Sequence, residues 1–284
     1  MIRKILLLSL ALVLCFAFVG CAQKGEVLTP EQIDQIVTEA VSAAVEANTY
    51  QFDMDMSVTM EVIGGTEPGT MTMDAVGTGA IDNVHKEMQM LMTMTMNIPE
   101  QGEQEMGMET YIVGEWMYME MSVPEMDEQW MKMELPEGMW ETQNQLEQQM
   151  ELLETAAEVK FVDSEIVDDV DCYIFEITPD MEKLADYLSQ QLGMEGINLG
   201  ELNLAELFKE MSVKEWIAKD SYLLTKTEVH MLMELTPEDV GATSEDFERM
   251  TMDLSMGMTV HDYNQPVSIE LPPEAQDAIE MPGM

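Results

Sequence analysis

Positive charge and thiols are both scarce in this chain. Twelve Lys and Arg stand against 56 Asp and Glu, for a net charge of −44, and there are three histidines and three cysteines. With no basic patch to displace phosphate counterions, nucleic acid is excluded as a partner. Charge-driven attachment to an anionic membrane is excluded with it. His85, His230 and His261 stand apart from any nucleophile or metal-ligand spacing, and neither a Gly-x-Ser-x-Gly elbow nor a His-Glu-x-x-His helix is present. Each histidine therefore reads as a strand or turn residue, and the expectation is a protein that is not an enzyme and needs no cofactor. Asp163, Asp168, Asp169 and Asp171 crowd one turn but lack the glycine of a calcium loop, so a solvated acidic turn is expected and no metal site. Aromatics make up 6% of the chain. Trp130 and Trp216 read as packing or rim residues, because base stacking in so acidic a chain would lack its electrostatic half.

Long apolar runs are absent except at the start. Arg3 and Lys4 precede a run from Ile5 to Val19 broken only by Ser9, the pattern of a secretory signal and not of a retained span. Phe18-Val19-Gly20-Cys21 resembles the bacterial lipobox, with Phe18 where Leu is usual. That resemblance implies cleavage before Cys21 and a diacylglyceryl group on its thiol. Several acyl chains anchor stably where one is marginal, so the expected location is extracytoplasmic, on the cell membrane. Cleavage would leave 264 residues, with ten basic residues against 56 acidic ones, enough for one large sheet domain. Cys15 would leave with the leader, so no intrachain disulfide is expected. Cys172 alternates with Val170 and Ile174 and reads as a small buried apolar residue. Solubility, a saline habitat and cation sequestration at the wall all remain readings of the acidic surface.

What the chain has in excess is methionine, 32 in all. In Met88-Gln89-Met90-Leu91-Met92-Thr93-Met94-Thr95-Met96 every second residue is Met, which on a strand forms a single apolar stripe and on a helix would be scattered. The rhythm returns at Met54/Met56/Val58/Met60/Val62, Met71/Met73, Met106/Met108, Met117/Met119/Met121, Met131/Met133/Leu135, Met231/Met233/Leu235 and Met250/Met252/Leu254/Met256/Met258/Val260. Asp53, Asp55, Ser57, Thr59 and Glu61 alternate with the first set, so the opposite face should be wet. Trp116 and Tyr118 oppose Met117 and Met119, which predicts a strand covered on both sides.

In chain order, residues 21–28 read as a lipidated tether behind a leader of residues 1–20. Thr29-Pro30-Glu31-Gln32 is a capping box that opens an amphipathic helix, with Ile33, Ile36, Val37, Ala40, Val41, Ala44 and Val45 inward. Strands joined by Gly, Pro and Asn turns fill Tyr50 to Leu135. Helices are expected at Glu141–Glu158, from Asp180 to Leu192, and around Leu204–Phe208, as a cover between the two halves of the sheet. Strands are expected at Val159–Ile166, Asp171–Ile177, Ser212–Lys219, Ser221–Leu235, Glu248–Tyr263 and Val267–Leu271. The domain spans residues 29–272, and residues 273–284 read as a flexible tail.

The phrases Asp171-Cys172-Tyr173-Ile174-Phe175-Glu176, Trp216-Ile217-Ala218-Lys219-Asp220-Ser221-Tyr222-Leu223-Leu224-Thr225-Lys226 and Tyr263-Asn264-Gln265-Pro266-Val267-Ser268-Ile269 resemble the LolA/LolB and LppX/LprG-like lipoproteins. Asp168-Asp169 departs from them, since a glycine often fills that turn. The resemblance implies an α+β fold, a strongly curved antiparallel half-barrel with helices over its concave face, and a hollow that takes acyl chains. Apart from the resemblance, a wall of unbranched, polarisable methionines suits ligands of varied shape. The residues expected to line it are Met54, Met56, Met60, Met88, Met90, Met92, Met94, Met96, Met117, Met119, Met131, Met133, Met231, Met233, Met252, Met256 and Met258. A filled core in a non-transporting envelope protein, structural or sensory, is the main alternative. Cu(I) handling by thioethers is a second, although His230 beside Met231 should face the other way. The expected partners are the membrane, through Cys21, and a lipid ligand; no protein partner is identified.

Overall fold

The computed structural model describes residues 27–65, 68–99, 102–122, 129–135, 140, 153, 156–180, 207–240 and 247–281. The leader, Cys21 and most of the expected mid-chain cover lie outside these residues. Helix α1 (Pro30–Glu46) begins as its capping box predicts: the Thr29 hydroxyl accepts from the Gln32 amide, and the Gln32 side chain accepts from the Thr29 amide at 2.9 Å. Ile36, Ala40 and Ala44 form its buried stripe. Ile33, Val37 and Val41 flank the stripe, but Val45 is 67% exposed. The inward face is thus narrower than the apolar spacing suggests, because small alanines bring the backbone close and leave the last turn's valine outside.

Among the described residues the strands are β1 (Thr49–Ile63), β2 (Gly69–Asp82), β3 (Glu87–Ile98), β4 (Gly102–Val113), β5 (Trp116–Ser122), β6 (Trp130–Glu134), β7 (Glu158–Val167), β8 (Val170–Thr178), β9 (Phe208–Ala218), β10 (Leu224–Leu235), β11 (Arg249–His261) and β12 (Ile279–Glu280). They form one curved, unclosed sheet in the order β12-β6-β5-β4-β3-β2-β1-β11-β10-β9-β8-β7. Two meanders run outward from a central pair, β1 with β11, and only the short β12 pairs in parallel. Period-two alternation drives this architecture, since each strand has one apolar side to bury. Turn chemistry sets the hairpins: Gly114 supplies a positive φ of 66° between β4 and β5. Asp168 and Asp169 form a two-residue hairpin loop with φ of 47° and 66°, left-handed at both positions without glycine.

Three further expectations need correction. Glu158 belongs to β7 and Phe208 to β9, so neither residue is helical as expected. Val267–Leu271 joins no ladder, and Pro266 and the Pro272-Pro273 pair on either side have no amide hydrogen with which to extend one. The segment after Pro272 is ordered through Met281. Pro273–Asp277 is a 3-10 turn with Ala275 fully buried, and Ile279–Glu280 pairs with the otherwise open edge of β6. On the face opposite the methionines, Cys172, expected to be a small buried residue, packs with Ile174, Trp216, Val167 and Val170 as a small second core.

Candidate functional site

Registers decide which residues share a face. Each methionine of β1 to β6 and β9 to β11 stands on the same side as Tyr50 and Phe52, the side on which α1 packs. All the residues expected to line a ligand site are therefore brought onto one face. Met71, Met73, Met106, Met108, Met121 and Met250 join them, as does Met211, which no alternating methionine pattern marks. Across strands the side chains form lines. Met233, Met252, Met60 and Met71 oppose one another in sequence across β10, β11, β1 and β2. Thr227, Met258, Met54, Gly77, Met92, Met108 and Met121 form a second line from β10 to β5. At Gly77 the gap is bridged by its neighbours: a Cβ there would lie 3.3 Å from Met54 Cγ and 3.6 Å from Met92 Cβ.

The face has two ends of different character. Tyr50, Phe52, Ile81, Met88, Ile112, Met117, Met258 and Val260 are buried with α1 in one continuous core. Trp140 and Leu153, two described residues of the mid-chain stretch, join that core. Phe52 marks the boundary, its ring lying over Gly79 so closely that a Cβ there would sit 2.2 Å from Cζ. Beyond it Met56, Met60, Met94, Met96, Met106, Met233 and Met252 are half-buried. The face is thus a filled core at one end and a thioether-lined surface at the other.

Of the polar residues on the apolar face, Glu215 and Thr227 are the most deeply buried, and the sequence reading missed both. Glu215 on β9 and Thr227 on β10 are directly opposed, and each is 0% exposed. Among the described residues neither Glu215 carboxyl oxygen nor the Thr227 hydroxyl has a hydrogen-bond partner. Burial raises the Glu215 carboxyl to about 8, so it carries its proton at neutral pH. The signal was present in the alternation Val213, Glu215, Ile217, which puts the acid inward with its apolar neighbours.

The opposite face holds the remaining chemistry. His230 lies 3.2 Å from Asp253, and His261 lies 3.4 Å from Asp53 and 2.9 Å from Asp262. His85 binds Asp82 at 2.8 Å in the turn after β2, and that hydrogen bond raises its imidazole. His230 and Met231 occupy opposite faces, so this imidazole does not join the thioethers. Among the described residues no three His, Cys, Asp or Glu side chains come together as metal ligands. Cys172 is buried, which raises its thiol. Trp216 donates to Glu165 Oε2 at 2.8 Å, and the Trp130 ring packs tilted against Tyr111 with centroids 5.8 Å apart. A cavity of about 880 Å³ opens beside the central strands, bordered by Asp53, Glu109, Glu120, Trp130 and Glu274. No described helix is long and apolar enough to cross a membrane.

Solved structures of similar outline include the lipoprotein LppX of Mycobacterium tuberculosis, at 11% identity over 85% of this chain and 100% of that one, with a TM-score of 0.41. LprF of Mycobacterium bovis is 15% identical over 86% of this chain and 98% of its own, also at 0.41. A DUF1329 family protein from Desulfovibrio piger is 12% identical over 84% of this chain and 95% of its own, at 0.24. No curated protein matches the chain. A family model matches residues 32–280, and the chain belongs to the Family of unknown function (DUF6612).

Proposed function

We propose that this protein is a membrane-anchored extracytoplasmic lipoprotein, tethered through Cys21, that binds an acyl-chain ligand along its methionine face. One observation carries the reading: the strand methionines share a single face that runs from a packed core into a half-buried thioether surface. Methionine is unbranched, with three rotatable bonds, so such a surface can follow chains of different shape without a fixed mould. A dry core built from the same residues would lose more rotamer entropy and specify itself poorly. Trp140 and Leu153 pack into the core at the end of that face. Binding requires no covalent step, and no catalytic role is assigned to any residue.

Methionine oxidation footprinting tests the reading. Peroxide converts accessible methionine to the sulfoxide. Met56, Met60, Met94 and Met252 should react in the ligand-free protein and become protected after incubation with phospholipid vesicles. Met88 and Met117 should stay unreactive in both states. An identical pattern with and without lipid would favour the filled-core envelope protein instead.

A further inference from the structure

We infer that Glu215 and Thr227 form the polar end of the ligand site, an anchor for the uncharged, oxygen-bearing head of an acyl lipid whose chain lies along the methionine line. This deepens the proposed function and rests on it. Directly opposed residues of an antiparallel pair have Cβ atoms about 5 Å apart, so one small group can meet both side chains. Both are fully buried, and among the described residues neither has a hydrogen-bond partner. The described strand neighbours offer none: Phe175 opposes Glu215 from β8, Val213 and Ile217 flank it, and Met258 opposes Thr227 from β11. A buried polar group left unpaired destabilises a fold, and apolar residues of the same shape would pack here without that loss. Two such groups side by side, at the head of an apolar line, fit a ligand that supplies their partner.

The chemistry of the pair selects the head group. At neutral pH the Glu215 carboxyl is protonated and donates, as does the Thr227 hydroxyl, so an ester carbonyl or an alcohol oxygen can accept from both. A phosphate would bring negative charge into an apolar site that no cation of the described strands faces. Lys214, Lys226 and Glu228 project from the other face, Tyr173 is the titratable neighbour on β8, and the Tyr263 hydroxyl is committed to the Leu224 carbonyl at 2.7 Å. Geometry also sets the reach. From Glu215 the line continues through Thr227, Met258, Met54, Gly77, Met92 and Met108 to Met121, seven strand spacings or roughly 34 Å.

The test uses the full chain and two probes with the same pyrene-labelled acyl chain, a monoacylglycerol and the corresponding lysophosphatidate. The wild type should prefer the monoacylglycerol. Glu215→Leu and Thr227→Val should each weaken its binding about tenfold, the loss of roughly one hydrogen bond. Their thermal stability should equal or exceed that of the wild type, so weaker binding cannot be put down to misfolding. Glu215→Gln, which retains a donor, should bind within about threefold of the wild type. Unchanged binding in both Glu215→Leu and Thr227→Val overturns the anchor and leaves the methionine wall intact. Equal affinity for the two probes overturns the choice of head group. A wild type that binds neither probe overturns the ligand reading itself, and the anchor with it.

Discussion

Gly79→Ala is the sharpest mechanical probe of where the packed core ends. The backbone at Gly79 has no left-handed requirement, so the substitution acts through space alone. Its new Cβ would lie 2.2 Å from Phe52 Cζ and 2.4 Å from Cε1, and the ring would have to retreat by about 1.2 Å to reach ordinary contact at 3.4 Å. Phe52 is 1% exposed and backed by the core beneath α1, so it has little room to retreat. Overpacking of this kind costs about 1–3 kcal/mol, while replacing a strand glycine otherwise gains about 0.5–1 kcal/mol. The net expectation is a loss of about 1–2 kcal/mol, read as a lower urea midpoint at unchanged m-value and a Tm lower by roughly 4 °C. In a Phe52→Leu background the same substitution should be neutral or stabilising, giving a coupling of about 1–3 kcal/mol. A Gly79→Ala protein as stable as the wild type, or an equal loss in both backgrounds, would refute the placement of the ring.

Other residues give independent checks. Asp169→Gly relieves a left-handed aspartate in the β7–β8 hairpin and should raise stability by about 0.5–1 kcal/mol in chemical denaturation. Thr29→Ala removes the α1 cap and should lower stability by about 1 kcal/mol in the same assay. The Cys172 thiol should resist a thiol reagent in the native protein and react at once in denaturant, because burial both shields it and disfavours its thiolate. Glu215 sets a pH dependence. Its carboxyl is raised from 4.5 in the unfolded chain to about 8 in the fold, so its contribution is complete below about 4.5 and is lost as pH climbs to about 8. The stability of the wild type relative to Glu215→Leu should therefore fall across that window and level off above it, as followed by urea midpoints at successive pH values.

Much of the sheet was legible because a period of two is hard to mistake. Met88 to Met96 has only one regular conformation that makes its methionines a stripe, and the capping box of α1 specifies its own start. What escaped is what alternation cannot carry. Pairing of β1 with β11 joins residues about two hundred positions apart, and no local pattern announces it. Cys172 was legible as a buried residue from its alternation with Val170 and Ile174, but its packing against Trp216 depends on the β8–β9 pairing, which the local pattern does not carry. The last strand, β12, is two residues long and exists only because β6 leaves an edge to be paired. Glu215 was overlooked because acids were assigned to the solvent face, although its neighbours Val213 and Ile217 place it inside.

The central claim is that the methionine face takes an acyl-chain ligand, and native mass spectrometry addresses it most directly. The protein would be purified without detergent from Ala22 onward, so that the anchor cannot carry lipid through the preparation. Adducts of several hundred daltons that extract into organic solvent and identify as acyl lipids are the expected result. A bare mass, still bare after incubation with membrane lipids, would contradict it.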